Sequence, residues 1–189
     1  MPLHSLRVAI IAAALAAVPT TAFAQTPQDS GITYDCDTAA NHFSELILPA
    51  GAAPFTVAGK VRLNQVAASK EYLPLARLAI SNASDQPGPS DQAWAGFEFD
   101  MVPADKKNPA ASIVAYSIRE TGKKPDMQPI AIASGAEIPF SVLYDGTHVT
   151  VSVDGHEKQF AFTAAKPVVS IVCSTGEFLY TNLLIRPRG

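Results

Sequence analysis

Between residues 138 and 162 apolar and polar positions alternate with a period of two. Ile138, Phe140, Val142 and Tyr144 form one row, Val149, Val151 and Val153 alternate with His148, Thr150 and Ser152, and Phe160 and Phe162 alternate with Gln159 and Ala161. Successive side chains of an extended chain point to opposite faces, so each run predicts a strand with one buried face. Asp145-Gly146 and Asp154-Gly155 separate the runs. Glycine enters the positive-φ region without a Cβ clash and aspartate tolerates it, so each pair predicts a hairpin reversal. The stretch reads as a three-stranded antiparallel meander whose apolar face requires a second layer.

The same reading extends along the chain. Apolar runs bounded by Pro, Gly, Asn and Asp predict strands near 32–36, 42–48, 54–66, 73–81, 92–102, 111–120, 128–133, 136–144, 147–153, 157–163, 167–173 and 177–185. In FTVAGKVRLNQV, Phe55, Val57, Val61 and Leu63 face inward while Thr56, Lys60 and Arg62 face outward. Gly59 falls in the inward row, where a missing side chain predicts a bulge or a close backbone approach. In WAGFEFDM the inward row is Ala95, Phe97, Phe99 and Met101, leaving Trp94, Gly96, Glu98 and Asp100 on the other face. Loops are expected at 81–92, 103–110 and 121–129. A dozen short strands without an amphipathic helix predict an all-β protein, a two-sheet antiparallel β-sandwich, with a closed barrel as the alternative.

The first 24 residues stand apart. Arg7, the apolar run VAIIAAALAAV and the small-x-small site Ala22-Phe23-Ala24 are the parts of a secretory signal peptide, cleaved before Gln25. Residues 25–189 then form a single domain of 165 residues, secreted or periplasmic, with no further segment of membrane-spanning length. Loss of Arg7 leaves 13 basic against 17 acidic residues, a net charge of −4 without any basic cluster, so nucleic acid is not an expected partner. Cys36 and Cys173 are the two cysteines of the chain, and an oxidising destination predicts a disulfide between them. Neither has a second cysteine at C-x-x-C distance for redox chemistry.

Three stretches, FTVAGKVRL, VLYDGTHVTVSVDG and CSTGEFLYTNLLI, resemble the concanavalin A-like lectin and glucanase superfamily, including its laminin G-like branches. The resemblance implies a jelly roll whose final strand pair returns beside the N-terminus, and it suggests carbohydrate binding. Fold alone does not carry function.

The resemblance also directs attention to Glu98-Phe99-Asp100, because glucanases of this superfamily place catalytic carboxylates as E-x-D-x-x-E on one strand. Here the third position is Pro103, which cannot exchange a proton, and Asp105 lies beyond it. A retaining mechanism needs two carboxyls about 5–5.5 Å apart, so a divergent or inactive glycoside hydrolase ranks behind a non-catalytic module. The binding candidates are Trp94, Glu98 and Asp100: an indole face suits the C–H face of a sugar, and carboxylates accept hydroxyl hydrogen bonds. A buried Trp94 at a sandwich edge is the competing expectation. His148 and His156 flank one hairpin with Asp154 nearby, yet zinc needs three or four convergent ligands and no D-x-D-x-D-G run supports calcium. No metal and no cofactor is expected. There is no G-x-S-x-G and no Gly-rich phosphate loop. The expected partner is a glycan or another envelope ligand, the alternative being a structural or protein-interaction module of the envelope.

Overall fold

The computed structural model describes residues 31–66, 71–72, 74–83, 93–101, 112–119, 129–132 and 135–188. The expected signal peptide, residues 84–92 of the expected loop at 81–92, the expected loop at 103–110 with Pro103 and Asp105, and residues 121–128 of that expected at 121–129 lie outside them. Among the described residues twelve strands run in chain order: β1 (Ile32–Asp37), β2 (Phe43–Pro49), β3 (Phe55–Val66), β4 (Leu75–Asn82), β5 (Trp94–Met101), β6 (Ser112–Arg119), β7 (Pro129–Ile132), β8 (Ile138–Tyr144), β9 (His148–Val153), β10 (His156–Ala161), β11 (Pro167–Ser174) and β12 (Gly176–Pro187). They form two antiparallel six-stranded sheets, β1-β12-β3-β8-β9-β10 and β2-β11-β4-β5-β6-β7. The protein is an all-β sandwich of the jelly-roll kind.

The core is built from the predicted inward rows. Phe55, Val57, Val61 and Leu63 of β3, Ile138, Phe140, Val142 and Tyr144 of β8 and the valines of β9 bury their side chains against Leu78 and Ile80 of β4, Phe97 and Phe99 of β5, and Val169 and Ile171 of β11. Phe140 joins the two layers, its ring centroid 5.1 Å from that of Phe97 and 6.2 Å from that of Tyr180. Gly59 marks a close approach. A Cβ there would lie 3.0 Å from the Thr181 carbonyl oxygen and 3.1 Å from the Phe140 ring. Opposite it β12 bulges between Thr181 and Leu184, with Asn182 at φ 53°.

The chain's last strand returns beside its first: β12 pairs with β1, Cys36 opposite Phe178. The Cys36–Cys173 disulfide is present, with Cα atoms 6.2 Å apart. It does not join neighbours in one sheet. β1 and β11 belong to different layers, so the sulfurs cross the core and tie the sheets face to face.

The two Asp-Gly pairs differ. Asp154 (φ 48°) and Gly155 (φ 78°) form the expected two-residue turn, with Val153 opposite His156. At Asp145 the last strand pair is Tyr144 with Val149, which leaves a four-residue loop. The Asp145 side chain closes this loop from within: Oδ1 accepts from the Thr147 amide at 2.7 Å, the His148 amide at 2.7 Å and the Thr147 hydroxyl at 2.9 Å.

Candidate functional site: the outer face of the β4–β5 pair

Residues directly opposite in an antiparallel pair share a face. β4 and β5 pair Ser81 with Trp94, Ala79 with Gly96, Arg77 with Glu98 and Leu75 with Asp100. Ala76, Leu78 and Ile80 point into the core with Ala95, Phe97 and Phe99, so the four pairs stand on the outer face. Trp94 and Glu98 are thereby brought to one surface. Asp100 lies in register on the same face, and its side chain is outside the described residues.

Sequence reading missed the residue that organises this surface, Arg77. Its guanidinium carbon lies 4.8 Å from the centre of the Trp94 ring, and its Nη1 is 3.8 Å from Glu98 Oε2. The first contact is a cation–π stack; the second is an ion pair too long to be a hydrogen bond. Glu98 is thus balanced from the neighbouring strand of its own sheet. Lys60 and Arg62 sit on the other sheet, where Lys60 pairs with Glu137 at 3.1 Å and Arg62 Nε donates to Asn64 Oδ1 at 2.7 Å. A register that pairs residues 77 and 98 cannot be seen in the sequence.

The stack explains the two small residues between its members. Trp94 and Glu98 are four residues apart, about 13 Å along a strand. Arg77, level with Glu98, can reach the indole only by leaning along the sheet over the Ala79–Gly96 row. Ala79 is fully buried and Gly96 is buried, although neither points into the core. A Cβ at Gly96 would strike the Leu78 carbonyl oxygen and lie 2.5 Å from Ala79 Cα, so this row has to be low and closely spaced.

Trp94 is only 5% exposed, which is the competing expectation of a buried indole and not an open sugar platform. Its Nε1–H is buried without a hydrogen-bond partner. A buried donor left unmatched costs about 1–3 kcal/mol, so an acceptor brought to this point would gain that much. The side chains of Arg77 and Glu98 keep 17% and 18% of their surface in contact with solvent. Toward the edge of the sheet the same face carries Glu45, which accepts from the Ser170 hydroxyl at 2.9 Å, flanked by Phe43 and Ile47, 49% and 55% exposed.

The hairpin histidines do not meet. His148 is opposite Ala161 and His156 opposite Val153, at the two ends of the β9–β10 pair. Among the described residues no group of three His, Cys, Asp or Glu side chains is placed to hold a metal. His148 belongs instead to a chain at the β8–β9 loop, its Nδ1 2.9 Å from Thr147 Oγ1. The Thr147 hydroxyl has one proton and gives it to Asp145, so the imidazole N–H is the donor in that contact. Three hydrogen bonds hold the Asp145 carboxyl at about 2, the Thr147 amide first, then the His148 amide and the Thr147 hydroxyl.

No family model matches the sequence, and no curated protein matches it. Solved structures do. The chain is similar to the carbohydrate binding module CBM66 from Bacillus subtilis, with 11% identity over 84% of this chain and 92% of that one and a TM-score of 0.51. It is equally similar to human galectin-16, with 13% identity, 77% and 95% of the two chains covered and a TM-score of 0.51. Against a marine PL7 alginate lyase from Zobellia galactanivorans it aligns 76% of its own length and spans 65% of the lyase, at 13% identity and a TM-score of 0.48. Identities this low speak for architecture alone: the chain has the concanavalin A-like jelly-roll fold.

Proposed function

We propose that the protein is an exported, non-catalytic module that binds carbohydrate on the outer face of β4 and β5, through Trp94, Arg77 and Glu98, with Asp100 at its margin. The observation that carries this reading is the buried, unmatched Nε1–H of Trp94 beside a guanidinium and a carboxylate on one surface. That set offers donors, an acceptor and an aromatic ring, the ring centre 4.8 Å and the carboxylate 3.8 Å from the Arg77 guanidinium, which is the recognition chemistry of a polyhydroxylated ligand. The shared fold with a protein named as a carbohydrate binding module supports the ligand class. A non-catalytic role is supported by the sequence, which has Pro103 where the glucanase pattern has its third carboxylate. Secretion or periplasmic residence is supported by the leader sequence and by the disulfide.

A glycan array probed with the mature protein, Trp94→Ala and Glu98→Gln tests the proposal. Retention by the native protein and loss in both folded variants is the expected outcome. Equal retention by all three would place any binding elsewhere and defeat it.

A second reading has its own observation. Phe43 and Ile47 stand exposed on β2, the outermost described strand of its sheet, and an apolar edge of this kind suits a protein partner of the envelope.

A further inference from the structure

Among the described residues the two sheets end in β1 and β10 on one layer and in β2 and β7 on the other. An end strand offers unpaired N–H and C=O groups to another chain, and charges, prolines or shortness guard it. β1 carries exposed Asp35 and Asp37, β10 carries Glu157 and Lys158, and β7 is a four-residue strand that opens on Pro129. β2 lacks these guards. It runs for seven residues, Phe43 and Ile47 stand 49% and 55% exposed on its outer face, and its proline, Pro49, comes only at the end. Its one charge, Glu45, is turned back along the sheet, Oε1 accepting from the Ser170 hydroxyl of β11 at 2.9 Å.

We infer that β2 pairs antiparallel with β2 of a second copy of this chain, about a two-fold axis at Glu45. Phe43 and Ile47 lie symmetrically on either side of Glu45 in the strand, so this axis brings Phe43 of each copy opposite Ile47 of the other. That reciprocity is what an isologous interface requires, and cross-strand apolar pairs stabilise a sheet. The two Glu45 meet at the axis as the one like-charged contact, each drawn toward its own β11 by Ser170. Area sets the strength. A seven-residue strand is about 23 Å long and the side of a two-sheet sandwich roughly 20 Å deep. Pairing along it covers roughly 900 Å² in total, short of the ~1,200 Å² at which specific stable interfaces begin, so the dimer is concentration-dependent.

The pairing reaches the candidate site. Glu45, Val172, Arg77 and Glu98 form one cross-strand row from β2 to β5. An axis normal to the sheet leaves both outer faces on the same side, with the two Glu98 about 34 Å apart at ordinary strand spacing. On the carbohydrate reading above, two sites then face one polymer, and retention on a multivalent glycan exceeds the single-site affinity. The dimer itself does not rest on that reading.

Sedimentation velocity of the native protein, from low micromolar to near-millimolar concentration, tests the pairing beside Phe43→Lys, Ile47→Lys and Glu45→Gln, each shown by thermal unfolding to be folded. The native protein should pass from monomer to dimer. Both lysine variants should sediment as monomers throughout, and Glu45→Gln, which keeps an acceptor for Ser170, should dimerise a few-fold more tightly. A native protein that stays monomeric overturns the proposal and leaves the edge to a foreign partner. A dimer that survives either lysine, or that Glu45→Gln weakens, overturns it as well. Dimerisation without retention of any glycan leaves the pairing intact and removes the carbohydrate reading.

Discussion

Arg77 and Trp94 stack across a neighbouring pair of strands, guanidinium carbon to ring centre 4.8 Å, above a row consisting of Ala79 and Gly96. The stack depends on that row. Gly96→Ala puts a methyl where the Leu78 carbonyl and Ala79 Cα already stand, and forced overpacking of this kind costs about 1–3 kcal/mol. Chemical denaturation should show that loss, with a red shift of Trp94 emission in the folded state as the indole is pushed outward. A variant as stable as the native protein would mean that the strands separate at no cost.

Two buried tyrosines are expected to respond oppositely to loss of their hydroxyls. Tyr144 Oη donates to the Gly146 carbonyl at 3.1 Å and accepts from the Ala164 amide at 2.9 Å, joining the β8–β9 loop to the segment after β10. Tyr144→Phe orphans both and should cost about 1–3 kcal/mol. Tyr180 Oη has no partner in the core, and burial pushes its ionisation far above the ordinary tyrosine range. Tyr180→Phe removes an unmatched polar group, so denaturation should find it neutral or stabilising.

The Asp145 carboxyl gives a prediction in acid. Its folded value, about 2, lies below the ordinary 3.8. A depressed carboxyl contributes stability that is complete above the unfolded value and is lost as pH falls through the folded one, here between about 4 and 2. Carboxyl titration by NMR should place Asp145 near the lower value. Asp145→Asn should be less stable than the native protein at neutral pH and lose less of its stability across this acid window.

The disulfide closes a separation of 137 residues and joins the two layers. In the chain-entropy treatment a loop of that size is worth about 4–5 kcal/mol. The double variant Cys36→Ala, Cys173→Ala should unfold at correspondingly lower denaturant, with the sheets otherwise retained by circular dichroism.

What the sequence disclosed follows from which interactions are local. The valines of β9 and the rows in β3, β5 and β8 show their inward faces because the period of two is written into neighbouring residues. Gly59 advertised a close approach because a glycine inside an apolar row has few other uses. Asp154-Gly155 specifies its own two-residue turn. Asp145-Gly146 does not, since Thr147 and His148 supply donors that let the aspartate close a wider loop. Trp94 and Glu98 could be placed on one face from alternation alone. Arg77 could not, because its position opposite Glu98 is set by strand pairing over 21 residues of chain. His148 and His156 flank one hairpin, and its two-residue turn sets them at opposite ends of the β9–β10 pair.

The most direct test of the account is a titration of the native protein with the glycan the array selects, followed through Trp94 fluorescence. A saturable change in emission, abolished in Glu98→Gln while that variant remains folded, is the predicted result. Saturable binding that leaves the emission and quenching of Trp94 unchanged would contradict it, as would an array on which nothing is retained.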